Sequence, residues 1–391
     1  MDYLKVHLKS GRREVVENRS PWIFSGAIDR VEGDPADTRL CHLILKDRVV
    51  GTGYINPNTS LAARVISWDE RVLDVAFFRE RFRSLSVLKE GLVRGRSNAY
   101  RLAHAEADGL PGLVVDRYAD VLVVQSSTAG MDELMPLVTE ALVDELAPRA
   151  VVERSRSESR RTEKIGEREG MRFGEEPEEV EIEENGIRLL VDVCHGQKTG
   201  FFLDQRANRE TIASWCGGRR VLNGYSYTCS VGVGARRAGA VQVCNVDASA
   251  PALATGRRNY ALNGLEPSGD EFVEADMKEY LGTMPFGTFD LMVLDPPKFA
   301  ASKRSLDAAI KGYKHINMLA MKRIAPGGLL FTFSCSGLVD LELFQKIAFY
   351  AAKDSGREVR VLRRLAADVD HALSIYHREN EYLKGLVLHV V

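Results

Sequence analysis

The spacing of hydrophobic and polar positions divides the chain into stretches that predict different structures. Residues 1–72 contain short apolar runs such as CHLILKD, VVGTGYI and LAARVIS, separated by glycine, proline and asparagine. Runs of this length with turn residues between them predict a small β-rich domain. Residues 73–185 begin with apolar side chains at helical spacing, including Phe78 and Phe82, and continue with strand-like segments and the amphipathic stretch MDELMPLVTEALVDEL. This mixture of periods predicts an α+β domain.

Residues 186–391 predict an α/β fold with a doubly wound parallel sheet. The apolar runs in RRVLNGYS, AVQVCNVDAS, EFVEAD, FDLMVLD and GGLLFTFSCS each lead into polar or small residues. Helix-like stretches lie between them, such as APALATGRRNYALNG and a long one from Ala309 to Lys322. Strands that alternate with helices are typical of such a sheet. Ligands bind it at the carboxyl ends of the strands, and the polar motifs of this region fall there. The pattern therefore predicts a binding site at that edge.

Length and composition exclude several classes of protein. At 391 residues the chain is too long for one ordinary core, and 45% hydrophobic with 28% charged residues is typical of a globular protein. There is no apolar run of about 18 residues and no apolar segment at the start, so we expect no membrane span and a cytoplasmic location. The six cysteines show no CxxC pair or regular spacing, which favours reduced thiols over disulfides or a metal site.

The net charge of −2 conceals two local excesses of charge. The segment from Arg79 to Arg101 is rich in arginine and lysine, whereas the segment from Glu163 to Glu184 is rich in glutamate. A charge run is ordinarily a solvated face. The basic segment is also a candidate surface for RNA phosphates, because such binding depends on the local patch rather than on the net charge.

Acidic residues end successive predicted strands and indicate a nucleoside site. Asp247 follows the turn NGYSYTCS by about 20 residues, the spacing at which a carboxylate accepts hydrogen bonds from a ribose, and Asp276 is a candidate acceptor for an adenine amine. The alternative for each aspartate is a helix N-cap. Gly232 and Gly234 fall inside the next helix, where glycines serve close packing. Because the turn itself has only Gly224, close approach to a pyrophosphate is disfavoured, and we prefer S-adenosyl-L-methionine to NAD as the cofactor.

The candidate cofactor residues come from this turn, from the strand ends and from the stretch GQKTGFFLDQR before the first strand. They are Asn223, Tyr225, Ser226, Tyr227, Asp247, Ala248, Asp276, Asp295, Phe202 and Arg206. In GQKTGFFLDQR, Phe201 or Phe202 offers an apolar wall, and Lys198 and Arg206 offer cations for a methionine carboxylate. The alternative for that stretch is a packed linker between domains.

The fourth predicted strand ends in LDPPKF, which contains two consecutive prolines. They fix the backbone and remove two amide donors, so the simple interpretation is a rigid turn out of the sheet. The functional interpretation is a strap that holds Asp295 and Lys298 over a planar base. The pattern D/N-PP-Y/F is a signature of methyltransferases that act on amines, and Lys298 stands where that class carries its aromatic ring.

With these motifs in view, the chain resembles the ribosomal RNA large subunit methyltransferase I family over nearly its whole length. SPWIFSGAI, DGLPGLVVDRY, GQKTGFFLDQR, LNGYSYT, LDPPKF, GYK, FSCSG and YLKGL look like that family's landmarks, in the family's order. The resemblance implies a PUA-like RNA-binding domain in residues 1–72, a central α+β domain in residues 73–185 and a Rossmann-like methyltransferase domain in residues 186–391.

The resemblance also implies a reaction and a partner. The family makes 5-methylcytosine in 23S rRNA, so the expected partner is 23S rRNA or a large-subunit assembly intermediate, with a homodimer as an open alternative. The chain departs from the family pattern at two places. The family's turn usually continues SYTGGFS, whereas Cys229, Ser230 and Val231 follow Thr228 here, and Ser20 stands where the SPW motif commonly has His.

Carbon 5 of cytosine is a weak nucleophile, which points to Cys335 in FTFSCSG as a catalytic thiol. Addition of a thiolate to C6 makes C5 nucleophilic, and a base then removes the C5 proton as the thiolate leaves. An ordinary thiol has a pKa of about 8.5, and Lys298 is a candidate cation for lowering it. Asp295 is expected to bond the N3 or N4 edge of the cytosine. The alternative is that Cys335 is simply buried, as most cysteines are.

Rival functions stay open at this point. A base-amine or guanine-N7 methyltransferase of the same fold has no use for Cys335. A non-catalytic RNA-binding assembly factor needs only the N-terminal domains, and a small-molecule methyltransferase does not need residues 1–72.

Overall fold

The structure is a computed structural model that describes residues 3–266, 272–300, 303–377 and 381–391. The chain forms two compact units. The first contains residues 1–182, 191–203 and 369–380, and the second contains residues 183–190, 204–368 and 381–391. The predicted domain boundaries at residues 72 and 185 stay predictions. Among the described residues, no helix is long and apolar enough to cross a bilayer.

A β-rich layer forms the start of the first unit, as its short apolar runs predict. Its elements are β1 (Leu4–Leu8), α1 (Arg13–Glu17), β2 (Trp22–Phe24), β3 (Ile28–Glu32), β4 (Leu40–Leu45), β5 (Arg48–Ile55) and β6 (Leu61–Ser67). The strands follow the order β2-β6-β5-β4-β1-β3. Strands β1 and β4 are parallel, whereas the other neighbours are antiparallel. Val6, Leu43 and Val65 belong to the apolar core of this layer.

The second layer of the first unit combines a sheet with helices. Its elements are α2 (Val75–Val93), β7 (Ala99–His104), β8 (Leu113–Tyr118), β9 (Val121–Ser126), α3 (Ala129–Leu146), β10 (Ala150–Ser155), α4 (Glu158–Thr162) and β11 (Arg168–Phe173). The strands follow the order β11-β10-β9-β8-β7. Strands β9 and β10 are parallel, and α3 supplies the crossover that a parallel pair requires. Phe78 and Phe82 are fully buried in its core, as the helical spacing predicts.

Both charge-rich segments contain buried ion pairs. Lys89 is fully buried with its Nζ 3.0 Å from Asp108 Oδ2, and Arg101 Nε lies 2.8 Å from the buried carboxylate of Asp116. Glu163, at the start of the acidic segment, is only 4% exposed. The interpretation as solvated faces is therefore wrong for these side chains.

A two-stranded hairpin follows, made of β12 (Val180–Glu184) and β13 (Ile187–Val191). The division between the two units falls within this hairpin.

The second unit is built on a mostly parallel sheet, as predicted. Its strands are β14 (Arg220–Gly224), β15 (Gln242–Asp247), β16 (Phe272–Glu274), β17 (Leu291–Leu294), β18 (Gly328–Ser334), β19 (Val359–Ala366) and β20 (Lys384–Val390). Its helices are α5 (Arg206–Ser214), α6 (Ser230–Arg237), α7 (Ala250–Leu262), α8 (Met277–Thr283), α9 (Leu306–Arg323) and α10 (Leu341–Ser355). The strands follow the order β16-β15-β14-β17-β18-β20-β19. The predicted run EFVEAD begins at Glu271, which lies outside the described residues.

The last strand of the chain departs from the predicted parallel pattern. Strand β20 runs antiparallel to both β18 and β19, so the sheet is mixed at this edge. An antiparallel strand needs no crossover helix, and the alternation of strands with helices therefore carries no signal for it.

Alternate residues of the central strands face opposite sides of the sheet. Leu222, Met292 and Leu330 join one apolar cluster with residues of α8, α9 and α10, whereas Val221 and Val293 join another with residues of α5 and α6. Because both faces of the sheet are covered, the ends of the strands are where polar side chains can meet a ligand.

Candidate active site

The turn after β14 holds a strained backbone. Tyr225, Tyr227 and Cys229 have φ values of 58°, 48° and 61°, in the left-handed region that side chains other than glycine rarely adopt. Buried amides support its base: Asn223 Nδ2 donates to Asn245 Oδ1 at 2.9 Å. Strain of this kind persists where the surrounding structure enforces it, commonly at functional sites.

Asp247 ends β15 and fixes the same turn. Its Oδ2 accepts a hydrogen bond from the backbone N–H of Tyr227 at 2.7 Å, and its Oδ1 accepts one from the N–H of Ser249 at 2.9 Å. Ser226 is buried in the turn and Ala248 is exposed beside Asp247. A carboxylate has about four acceptor positions, so these two bonds leave it capacity for the hydroxyls of a ribose.

Two glycines permit close packing around this turn. A Cβ at Gly232 would lie 2.2 Å from Asn245 Oδ1, and a Cβ at Gly256 would lie 2.4 Å from Cys229 Sγ. The packing role predicted for Gly232 is thus confirmed. The Cys229 thiol, at a position where the family's SYTGGFS has glycine, occupies the space beside Gly256. Burial raises the pKa of this thiol to about 12, so it is unreactive.

Asp276 occupies the N-cap position of α8 and is exposed. Its Oδ1 accepts hydrogen bonds from the N–H groups of Lys278 at 2.9 Å and Glu279 at 3.1 Å. The N-cap alternative is confirmed, and its contact with adenine stays a prediction. Burial, followed by the charge of Asp276, raises the pKa of the Tyr225 phenol, which indicates that the Tyr225 side chain lies near Asp276.

The carboxylate of Asp295, at the end of β17, is oriented by neutral amides. Gln205 Nε2 donates to Asp295 Oδ2 at 2.8 Å, and Asn208 Nδ2 donates to Gln205 Oε1 at 2.6 Å. Asp295 is half-buried, and Lys298 is exposed beyond the two prolines. The catalytic role of Lys298 stays a prediction.

Tyr313 of α9 connects the ends of β17 and β18. Its ring lies 4.7 Å from the ring of Phe299, and it is fully buried. Burial raises the pKa of its phenol, and Ser334, Cys335 and Asp295 are all close enough to affect it. Tyr313 is therefore near Cys335 and Asp295, two of the three predicted catalytic side chains.

Cys335 follows β18 in a turn that its flanking serines anchor. Ser334 and Ser336 are fully buried, and Ser336 Oγ donates to the carbonyl oxygen of Ala300 at 3.0 Å. This bond ties the Cys335 turn to the DPPKF turn. Cys335 itself is half-buried and contacts the apolar cluster that contains Phe333. It differs in this from the four cysteines that are buried, which are Cys41, Cys216, Cys229 and Cys244.

The two candidates from GQKTGFFLDQR have structural partners. Arg206 is fully buried in the second unit, and its Nη1 lies 2.8 Å from Asp368 Oδ2. Phe202 belongs to the first unit, where Lys198 Nζ lies 4.4 Å from the centre of its ring. Their cofactor roles stay predictions, and the ion pair gives Arg206 a competing structural role.

Sequence reasoning assigned no role to several side chains at this edge. Gln205, Tyr313 and Lys384 lie in the landmarks GQKTGFFLDQR, GYK and YLKGL, so the signal was a motif without an assigned chemistry. The described residues place no group of His, Cys, Asp and Glu that could hold a metal ion.

Two family models match the chain. The model described as an S-adenosylmethionine-dependent methyltransferase matches residues 169–340, which contain the predicted cofactor-binding and catalytic residues. The model described as a PUA-like domain matches residues 6–68, which contain most of the β-rich layer of the first unit.

Curated relatives match nearly the whole chain. Proteins named "Ribosomal RNA large subunit methyltransferase I" from Aeromonas hydrophila and Shewanella denitrificans are 44% and 43% identical, over 390 and 394 residues. The alignments cover 98% of both chains in the first case and 99% of both in the second.

Solved structures support the fold. The crystal structure of SMU.776 complexed with SAH has a TM-score of 0.83 at 21% identity and covers 99% of this chain and 100% of its own. The structure of a tRNA m1G37 methyltransferase from M. jannaschii has a TM-score of 0.51 at 15% identity, with 97% and 95% covered. At these identities the likeness shows the fold alone.

Proposed function

The chain belongs to the ribosomal RNA large subunit methyltransferase I family, and from this premise we propose that it forms 5-methylcytosine in 23S rRNA by way of Cys335. Its cofactor is S-adenosylmethionine, in keeping with the methyltransferase family model. The choice of carbon 5 and the covalent route rest on the residues at the strand ends.

The residues of the β14 turn fit this cofactor. Asp247 keeps acceptor capacity for a ribose after its two backbone bonds, and Asp276 presents an exposed carboxylate at the next strand end. Tyr225 is half-buried and offers an apolar ring beside Asp276. When bound, S-adenosylmethionine supplies an electrophilic methyl group.

Cys335 and Asp295 have different roles in the reaction of the cytosine. The Cys335 thiolate donates an electron pair to C6 and forms a C–S bond, which places electron density on C5. Once C5 carries the methyl group, loss of its proton to a base restores the double bond, the C–S bond breaks and the thiolate is regenerated. Asp295, oriented by Gln205, bonds the N3 or N4 edge of the ring and supports protonation there during the attack.

A single observation carries this proposal: the hydrogen bond from Ser336 Oγ to the carbonyl oxygen of Ala300, 3.0 Å long. It fixes the loop that carries the thiol beside the loop that carries Asp295. A thiol and a ring-edge acceptor held together in this way match the requirements of cytosine C5 chemistry. If Cys335 only fills space, the chemistry gives no reason for these two loops to be held together.

The test compares Cys335→Ala with Cys194→Ala, which replaces the other half-buried cysteine. With 23S rRNA and S-adenosylmethionine, C335A should lose at least about 10³-fold in methylation rate, because the covalent route is removed. Cofactor binding by calorimetry should be unchanged, and C194A should remain active. A C335A enzyme that still makes 5-methylcytosine at a near-normal rate would remove the assignment.

A base-amine RNA methyltransferase of the same fold is the second candidate. The contact between Cys335 and the apolar cluster around Phe333 favours it, since a thiol there would then serve packing alone. RNA containing 5-fluorocytosine separates the two. The thiol route requires a stable covalent adduct that is absent with C335A, whereas an amine methyltransferase forms none.

A further inference from the structure

Lys384 is a buried cation beside the Cys335 turn. It is the first residue of β20, its Cα pairs with that of Ser334 across the sheet, and it is only 6% exposed. Its Nζ donates to the carbonyl oxygen of Ser336 at 2.6 Å and also to that of Val339. One ammonium group therefore bonds the loop after Cys335 at two points.

The charge of Lys384 favours an anion at Cys335. Burial lowers the pKa of Lys384 from its ordinary 10.5 to about 8, and the Cys335 thiol is the first of the groups that oppose this change, ahead of Glu381 and Asp340. A lysine is rarely buried in this way without a partner. Because electrostatic coupling is mutual, the ammonium that gains from a thiolate also stabilises that thiolate.

We propose that Lys384 is a positioning residue that orients the Cys335 loop and holds the thiol in its anionic form. The proposal rests on the proposed function, in which Cys335 is the nucleophile. Lys298, the cation considered from the sequence for this role, is exposed, whereas Lys384 is bonded into the loop itself. In the reaction, the negative charge on sulfur disappears as the C–S bond forms and returns beside the ammonium when that bond breaks.

Among the described residues, the other titratable groups that act on Tyr313 or Lys384 do not supply this charge. Tyr313 carries a phenol whose pKa is raised by burial, so it is neutral at physiological pH, and Asp295 affects that same phenol. Glu381 and Asp340, which act on Lys384, are acidic. Among these groups Lys384 is the cation.

The experiment measures alkylation of Cys335 by iodoacetamide as a function of pH, without RNA. A Cys194→Ala background makes Cys335 the only cysteine that is not buried, and C194A/C335A gives the blank. In this background, Lys384→Met should slow alkylation of Cys335 at pH 7 by about tenfold. It should also raise the pH at which the alkylation rate is half-maximal, the midpoint, by about one unit, which is the scale of one nearby charge. Lys384→Arg should keep the midpoint, and Lys322→Met, an exposed lysine of α9, should change nothing.

The pH dependence carries a second signature. Because Lys384 loses its own proton above about pH 8, the advantage of the parent chain over K384M should shrink as the pH rises past that value. A ratio of rates that stays constant to pH 10 contradicts the proposal, as does a K384M midpoint equal to that of the parent.

A folding defect is separated from the loss of charge by a second variant. If K384M no longer binds S-adenosylmethionine, Lys384→Gln replaces it, since glutamine keeps a hydrogen-bond donor without the charge and should show the same raised midpoint. The alkylation result does not depend on the methylation assay of C335A, which tests Cys335 as the nucleophile. An active C335A enzyme would overturn the proposed function while the alkylation data still report on Lys384.

Discussion

In the first unit the carboxylate of Asp116 is fully buried and accepts hydrogen bonds from Arg101 at 2.8 Å and from Thr199 at 2.7 Å. In the second unit Asp295 is half-buried and bonds the neutral amide of Gln205. The first carboxylate is neutralised by a cation inside the fold, whereas the second accepts a hydrogen bond from a neutral amide. Ion pairs of the first kind hold a core together, and carboxylates of the second kind are suited to a ligand.

Asp116→Ala should give the largest effect on stability. It leaves the guanidinium of Arg101, which is 14% exposed, without its buried partner, and such a loss costs about 3–5 kcal/mol. Hydrogen exchange resolved along the chain in a urea series should show that strands β7 and β8 lose protection first. The control is Asp120→Ala, whose pair with Arg149 is about half-exposed and contributes at most about 1 kcal/mol. Equal costs for the two variants would remove the distinction between them.

Asp247→Asn should act on binding more than on stability. Asparagine can still accept the hydrogen bond from the N–H of Tyr227, but it lacks the charge and one acceptor for a ribose. Affinity for S-adenosylmethionine in calorimetry should fall about 10- to 100-fold, the value of a hydrogen bond to a charged group. Asp276→Asn is the matched variant, because asparagine caps a helix as well as aspartate does. A loss of cofactor affinity in D276N, smaller than that in D247N, would therefore report on the contact with adenine. Parent-like affinity in D247N would contradict the assignment.

The sequence predicted those parts of the site that are close together along the chain. Asp247 was found because its spacing from the β14 turn reflects one strand, one helix and one strand of a parallel sheet. Asp295 was found because two prolines mark the turn that follows it. In both cases a local pattern determines where the side chain lies.

The parts that were missed come from distant segments. Gln205 reaches Asp295 across 90 positions of the sequence, and Lys384 reaches Ser336 across 48. Lys384 stands there because β20 pairs antiparallel with β18, with Ser334 opposite it, and no periodicity specifies that register. The same applies to Arg101, which looked like part of a basic surface and instead is paired inside the fold.

The smallest expected effect is that of Cys229→Gly. Cys229 is buried, like Asp116, and yet belongs to the β14 turn that is predicted to bind the cofactor. Cys229→Gly relieves a left-handed conformation, worth about 1–2 kcal/mol, and loses the burial of one small side chain, worth about 1 kcal/mol. The free energy of unfolding should therefore stay within about 1 kcal/mol of the parent, and cofactor affinity should be retained.

Cys229→Val is the informative contrast, measured by thermal unfolding with and without S-adenosylmethionine. A β-branched side chain at a φ of 61° is strained, and the space around residue 229 is narrow, since a Cβ added at Gly256 would lie 2.4 Å from the Cys229 sulfur. We expect a cost of about 2–4 kcal/mol and a smaller stabilisation by the cofactor, because the strain falls on the turn that Asp247 bonds. If C229V behaves like C229G, the turn adapts to its side chains, and the backbone of residues 225–229 is then not held in advance for the cofactor.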